Sequence, residues 1–155
     1  MPYSSELLDS AVALYRVDPE TQATLRRTVS TAYYAFFHFL IEETCTNWAR
    51  PEQRGKLARC FDHKHMSIAS NRRVAEHKNA VAGSKEFHLY SVASAFSQLQ
   101  EKRHIADYDL SQTLSSSDVA LDILLVEEAL ASWDTIRSEQ VAQDYLFSLL
   151  FKERS

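Results

Sequence analysis

The chain has very little with which to make tight turns: two glycines, Gly55 and Gly83, and three prolines, Pro2, Pro19 and Pro51, in 155 residues. So few breakers exclude a turn-rich β fold and favour long helices. The same scarcity excludes classes of function. Neither a GxGxxG nor a GxxxxGK[ST] loop can be written with Gly55 and Gly83 alone, so a Rossmann or P-loop nucleotide site is ruled out. Cys45 and Cys60 stand apart and form no CxxC pair, which fits a reduced, cytoplasmic protein. No apolar run approaches the length of a membrane span. The first residues lack the basic start and apolar stretch of a signal peptide. Positive charge is not in excess either. With 17 Lys and Arg against 21 Asp and Glu the net charge is −4, so only a local basic patch could serve nucleic acid.

What is present is an ordinary globular balance, 45% hydrophobic and 25% charged, in a length that suits one domain over residues 1–155. Ser4 or Ser5 can cap a first helix running to about Arg16. Asp18-Pro19-Glu20 reads as a second start, with Asp18 as N-cap and Pro19 at the first helical position, and this helix reaches Cys45 or Trp48. Pro51 opens a short helix with Leu57, Ala58 and Phe61. Residues 62–83 are polar and expected to be less regular. Ser84 and Glu86 open a helix that ends near 103–107, and residues 108–117 form a loop rich in cap residues. Ser116 or Ser117 caps a last helix with a kink near Ser138, and its apolar tail, 143–151, either packs back or supplies a dimer surface. The expected architecture is all-α, an antiparallel up-and-down bundle of four to six helices.

The second helix has two unlike faces. At about 100° per residue, Arg27, Thr31, Tyr34 and His38 share a narrow stripe, while Val29, Tyr33, Phe36, Phe37 and Leu40 are the bulky apolar positions. Such a polar stripe on a core helix is costly unless it faces a polar pocket or a partner. A second polar cluster lies at 102–110. There Arg103 and Asp107, four apart, share a face and can form a helix-end ion pair.

Together these segments carry a resemblance. Arg26-Arg27, Ser30, Tyr33-Tyr34-Ala35 and Phe37-His38 are similar to the RRxxSxxYYAxFH signature of a small-protein branch of the HEPN domain family. Arg103, Ala106, Asp107, Tyr108 and Asp109 resemble its second signature, RxxADYD. Residues 116–122 match the start of its last helix, and Phe61-Asp62-His63 resembles a middle element. The resemblance covers roughly residues 5–135. It implies a helical bundle, commonly a homodimer, whose motif residues form a polar cleft. Arg27, Thr31, Tyr34, His63 and Tyr108 would bind, and His38, Arg103 and Asp107 are the catalytic candidates. Some such proteins are metal-independent ribonucleases and toxins paired with a minimal nucleotidyltransferase antitoxin. In these, Arg stabilises phosphate charge and His moves a proton during attack by the ribose 2′-OH.

The chain departs from that nuclease pattern at its centre. Asp107 stands where the motif has His, and an ionised Asp beside Arg103 cannot act as a general acid. Arg72 and His77 supply an alternative Arg-x4-His pair, and Arg27 with Asp107 could form a buried ion pair between two helices. Cys60, His63 and His65 lack the second ligand pair of a closed zinc site, so no metal and no cofactor is expected. Three functions follow as expectations: a module binding RNA, a nucleotide or a nucleotidyltransferase; a toxin ribonuclease; or a dimerisation domain.

Overall fold

The structure is a computed structural model, and it describes residues 2–152; Met1 and residues 153–155 of the expected domain lie outside them. It is all-α. Among the described residues there are seven α-helices and one 3-10 turn, Pro51–Gln53, and no strand. The helices are α1 (Tyr3–Val17), α2 (Gln22–Thr46), α3 (Arg54–Ala58), α4 (His63–His77), α5 (Lys85–Tyr108), α6 (Ser116–Ile136) and α7 (Gln140–Leu150). Among the described residues no helix is long and apolar enough to cross a membrane.

The helix count exceeds the expected four to six for two reasons. Residues 62–83 contain a regular helix, α4, started by the Asp62 carboxylate, which accepts from the Lys64 amide at 3.2 Å. The break after Ile136 separates α7 as an element of its own. The start of α2 also differs from expectation. Asp18 does not cap it; its carboxylate accepts from the amides of Glu20 and Thr21, closing a turn around Pro19. Thr21 is the cap, its hydroxyl accepting from the Thr24 amide at 3.3 Å. Those bonds, led by the Glu20 amide, hold the Asp18 carboxyl below the usual carboxylate range. Ser84 caps α5 and Ser115, one residue before the expected positions, caps α6. Gly83 has φ of +85°, a conformation that suits a residue without a Cβ, in the turn before α5.

Contacts gather the chain into two compact units, 1–39 with 98–128 and 40–97 with 129–155. In the first unit Leu25, Val29, Ala106 and Val119 form a buried cluster, with Tyr15 and Leu114 against it. Five apolar residues named on α2, Val29, Tyr33, Phe36, Phe37 and Leu40, are all buried. In the second unit α7 packs back on α4, burying Ala142, Tyr145, Leu146 and Leu149. Tyr145 and Ser70 share a buried hydrogen bond of 2.7 Å. Glu43 accepts from the Trp133 indole at 2.7 Å and pairs with Arg137 at 2.9 Å.

Candidate functional site

The first unit is organised around the carboxyl end of α5. A helix ends with carbonyls that have no intrahelical partner. Here the Arg26 guanidinium meets them, donating to Ile105 (3.2 Å), Ala106 (3.1 Å) and Asp109 (3.1 Å), and to Gln112 in the loop beyond. A cation at this position also complements the negative end of the helix dipole. The loop is tied down further. Gln22 exchanges two hydrogen bonds with the backbone of Leu114, at 2.7 and 2.9 Å, and the Tyr15 hydroxyl meets Ser116. Asp109 closes the turn on Ser111 and Gln112, and these bonds, the Ser111 hydroxyl first, hold its carboxyl below the usual range.

Arg103 is almost enclosed. Its guanidinium lies 5.1 Å from the Tyr33 ring centre and 5.6 Å from that of Tyr34, within cation–π range. Asp107 ion-pairs with it at 3.6 Å and accepts from the Ser30 hydroxyl at 3.4 Å. Burial pushes the Tyr33 hydroxyl well above the ordinary phenol value, and the nearby Arg103 charge only partly opposes this. The expected Arg27–Asp107 ion pair is therefore replaced by Arg103–Asp107 along α5. Arg27 points into solvent and makes no ion pair or hydrogen bond with the described residues.

Around these groups runs an open groove of about 460 Å³, lined by Arg26, Arg27, Ser30, Thr31, Asp107 and Tyr108 over Ala106. It brings together the start of the first signature segment and the end of the second. Tyr108 is 66% exposed, and the His104 ring lies 5.0 Å from it. The stripe expected from spacing divides along its length. Arg27 and Thr31 reach the groove, and Tyr34 lies against Arg103. His38 stands about 10 Å further along the helix axis. It packs among Tyr3 (5.0 Å), Phe37 (5.3 Å) and Tyr34 (6.4 Å), and does not line the groove.

The remaining candidates lie in the second unit. His63 is the first residue of α4. Arg72 and His77 are five apart on that helix, so they diverge by about 140°. Arg72 lines a separate cleft, whereas His77 lies 3.7 Å from Glu76. Among the described residues no three His, Cys, Asp or Glu side chains converge on a metal position. Spacing missed Arg26, which sits one residue before the stripe; its partners are carbonyls about 80 residues away, which no local pattern reveals. No protein-family model matches the chain, nor does any curated protein or solved structure.

Proposed function

We propose that the chain is a HEPN-like module that binds single-stranded RNA or a nucleotide through the first unit's groove and does not cleave it. The observation that supports this most is the meeting of both signature segments along one open groove with Arg27 offered to solvent. Arg27 would take a phosphate, with the Ser30 and Thr31 hydroxyls beside it. Tyr108 would stack on a base, and Asp107 would accept a ribose 2′-OH, which distinguishes RNA from DNA. Binding is favoured over cleavage because no histidine lines the groove and the carboxylate there is already held by Arg103 and Ser30. On the same resemblance we include a cytoplasmic homodimer and a nucleotidyltransferase partner in the proposal. Anisotropy with a labelled single-stranded RNA in EDTA tests it. Arg27→Ala and Tyr108→Ala should each weaken binding by roughly tenfold, within the range of lost base stacking or a lost phosphate contact. Unchanged affinity in both variants rejects the groove. Cleavage leaving 2′,3′-cyclic ends, abolished in His38→Ala or His104→Ala, would instead establish the ribonuclease reading.

A further inference from the structure

Within the first unit, α5, α6 and the loop that joins them enclose a cavity of about 290 Å³ that shares no lining residue with the groove. Lys102 and Ile105 reach it from α5, and Asp118 and Asp122 from α6. The two aspartates are four apart, so they stand one above the other on one helix face, where like charges disfavour the helix. Lys102 is the one cation in the lining, and it donates to Oδ1 of Asp122. The Asp118 carboxylate makes no ion pair or hydrogen bond with the described residues; the Asp118 amide is what engages the Ser115 hydroxyl, at 3.2 Å. Two carboxylates thus face a single ammonium.

An ion pair between α5 and α6 accounts for only half of the deeper carboxylate. The Asp122 side chain is 5% exposed, and its Oδ2 accepts no hydrogen bond from the described residues. Burial pushes this carboxyl above the usual range; Lys102 opposes the rise, and the charge of Asp118 adds to it. A carboxylate taken out of water is costly unless its remaining lone pairs are answered. The rest of the cavity is apolar, with Val29 and Val119 buried in its wall beside Ile105 and Leu114. The loop side is fixed before any ligand arrives, because Gln22 holds the Leu114 backbone at 2.7 and 2.9 Å and Arg26 holds the Gln112 carbonyl. A bare metal cation would leave the apolar wall uncovered, and a neutral apolar molecule would leave the surplus negative charge unanswered. The volume stands at the lower end of the range of about 300–1,000 Å³ typical of small-molecule pockets, which limits the apolar part to one ring or a short branched chain.

We propose that this cavity is a second binding site, separate from the groove, for a small protonated primary amine bearing a compact apolar group. The ammonium donates to Asp118 and to Oδ2 of Asp122, completing the charge that Lys102 balances only in part, and the apolar group lies against Ile105 and Leu114.

An NMR titration of the full chain at neutral pH with 2-phenylethylamine, isoamylamine, 2-phenylethanol and ethylamine separates the two halves of this recognition. At least one of the two larger amines should bind roughly tenfold more tightly than the alcohol, which lacks the charge, or ethylamine, which lacks the apolar body. Its binding should weaken as salt is raised. Asp118→Asn should lower its affinity roughly tenfold, as the loss of one charged hydrogen bond implies, and Ile105→Ala roughly fivefold. Asp118 is exposed and unpaired, so Asp118→Asn should keep the original melting midpoint, and its loss of binding is then not unfolding. The proposal is overturned if neither larger amine binds, if 2-phenylethanol binds as well as 2-phenylethylamine, or if Asp118→Asn leaves the affinity unchanged. It is equally overturned if amine binding survives Asp118→Asn but disappears in Asp107→Asn, which would assign the ligand to the groove.

Discussion

Two adjacent arginines on α2 do different work, and the difference is a matter of which neighbour each one meets. Arg26 donates to four carbonyls at and beyond the end of α5, while Arg27 makes no such bonds and faces the groove. Hydrogen bonds from a charged donor contribute about 1.5–3 kcal/mol. Arg26→Ala should therefore destabilise the protein by about 2 kcal/mol in urea unfolding, and Arg27→Ala should stay within about 0.5 kcal/mol, as surface changes usually do. Arg26→Lys should not restore the loss, because one ammonium lacks the fork that spans several carbonyls. Equal stability losses for the two alanine variants would remove the distinction. Spacing made Arg27 legible as part of a stripe with Thr31, Tyr34 and His38. It could not separate the roles of those residues, since the partners of Arg26 and Tyr34 come from α5. The Arg103–Asp107 pair was legible because its spacing is local, one helical turn.

Among the elements, α4 was the hardest to read. Its inward stripe runs Met66, Ala69, Ser70, Arg73, Val74 and His77, at regular helical spacing, and half of those residues are polar. Apolar periodicity is therefore hidden, and only the contacts explain the burial. Ser70 is satisfied by Tyr145, and Arg73 by Glu76 at 3.1 Å. A helix with so little apolar surface depends more than its neighbours on its start signal. Replacing the cap, Asp62→Ala, should lower stability by about 1 kcal/mol and reduce helical circular dichroism, whereas Asp62→Asn should keep most of the capping contribution. If Asp62→Ala melts like the original chain, the cap contributes nothing and the packing of α4 on α7 alone holds the helix. The ends of α2 and α6 illustrate the limit from the other side. A cap residue was expected near each, but Thr21 and Ser115 serve where Asp18 and Ser116 or Ser117 were expected, because several cap-competent residues stand together.

For the molecule as a whole, the scarcity of glycine and proline was enough to predict an all-α chain. The division into two units was not visible. Its boundaries, after residues 39, 97 and 128, fall inside α2, α5 and α6, where no linker composition marks them. Each unit nevertheless contains a tyrosine with no exposed surface, Tyr33 in the first and Tyr145 in the second. Burial is the leading cause that pushes both hydroxyls above the ordinary phenol value. In the unfolded chain both should ionise near pH of about 10, while the native state keeps their protons. Native tyrosine then binds more protons than unfolded tyrosine, so this contribution is complete below that pH and is lost as pH rises towards the raised native values. Each group should steepen the fall in stability by up to about 1.4 kcal/mol per pH unit. Tyr33→Phe and Tyr145→Phe should each remove one such increment from the unfolding of the chain. Tyr145→Phe should also lower stability at neutral pH by about 1 kcal/mol, because it strips Ser70 of its partner. Denaturant melts between pH 9 and 11, compared with the unsubstituted chain, separate the two effects. A slope unaltered in both variants would mean that the phenols titrate equally in the folded and unfolded states, which is incompatible with their complete burial.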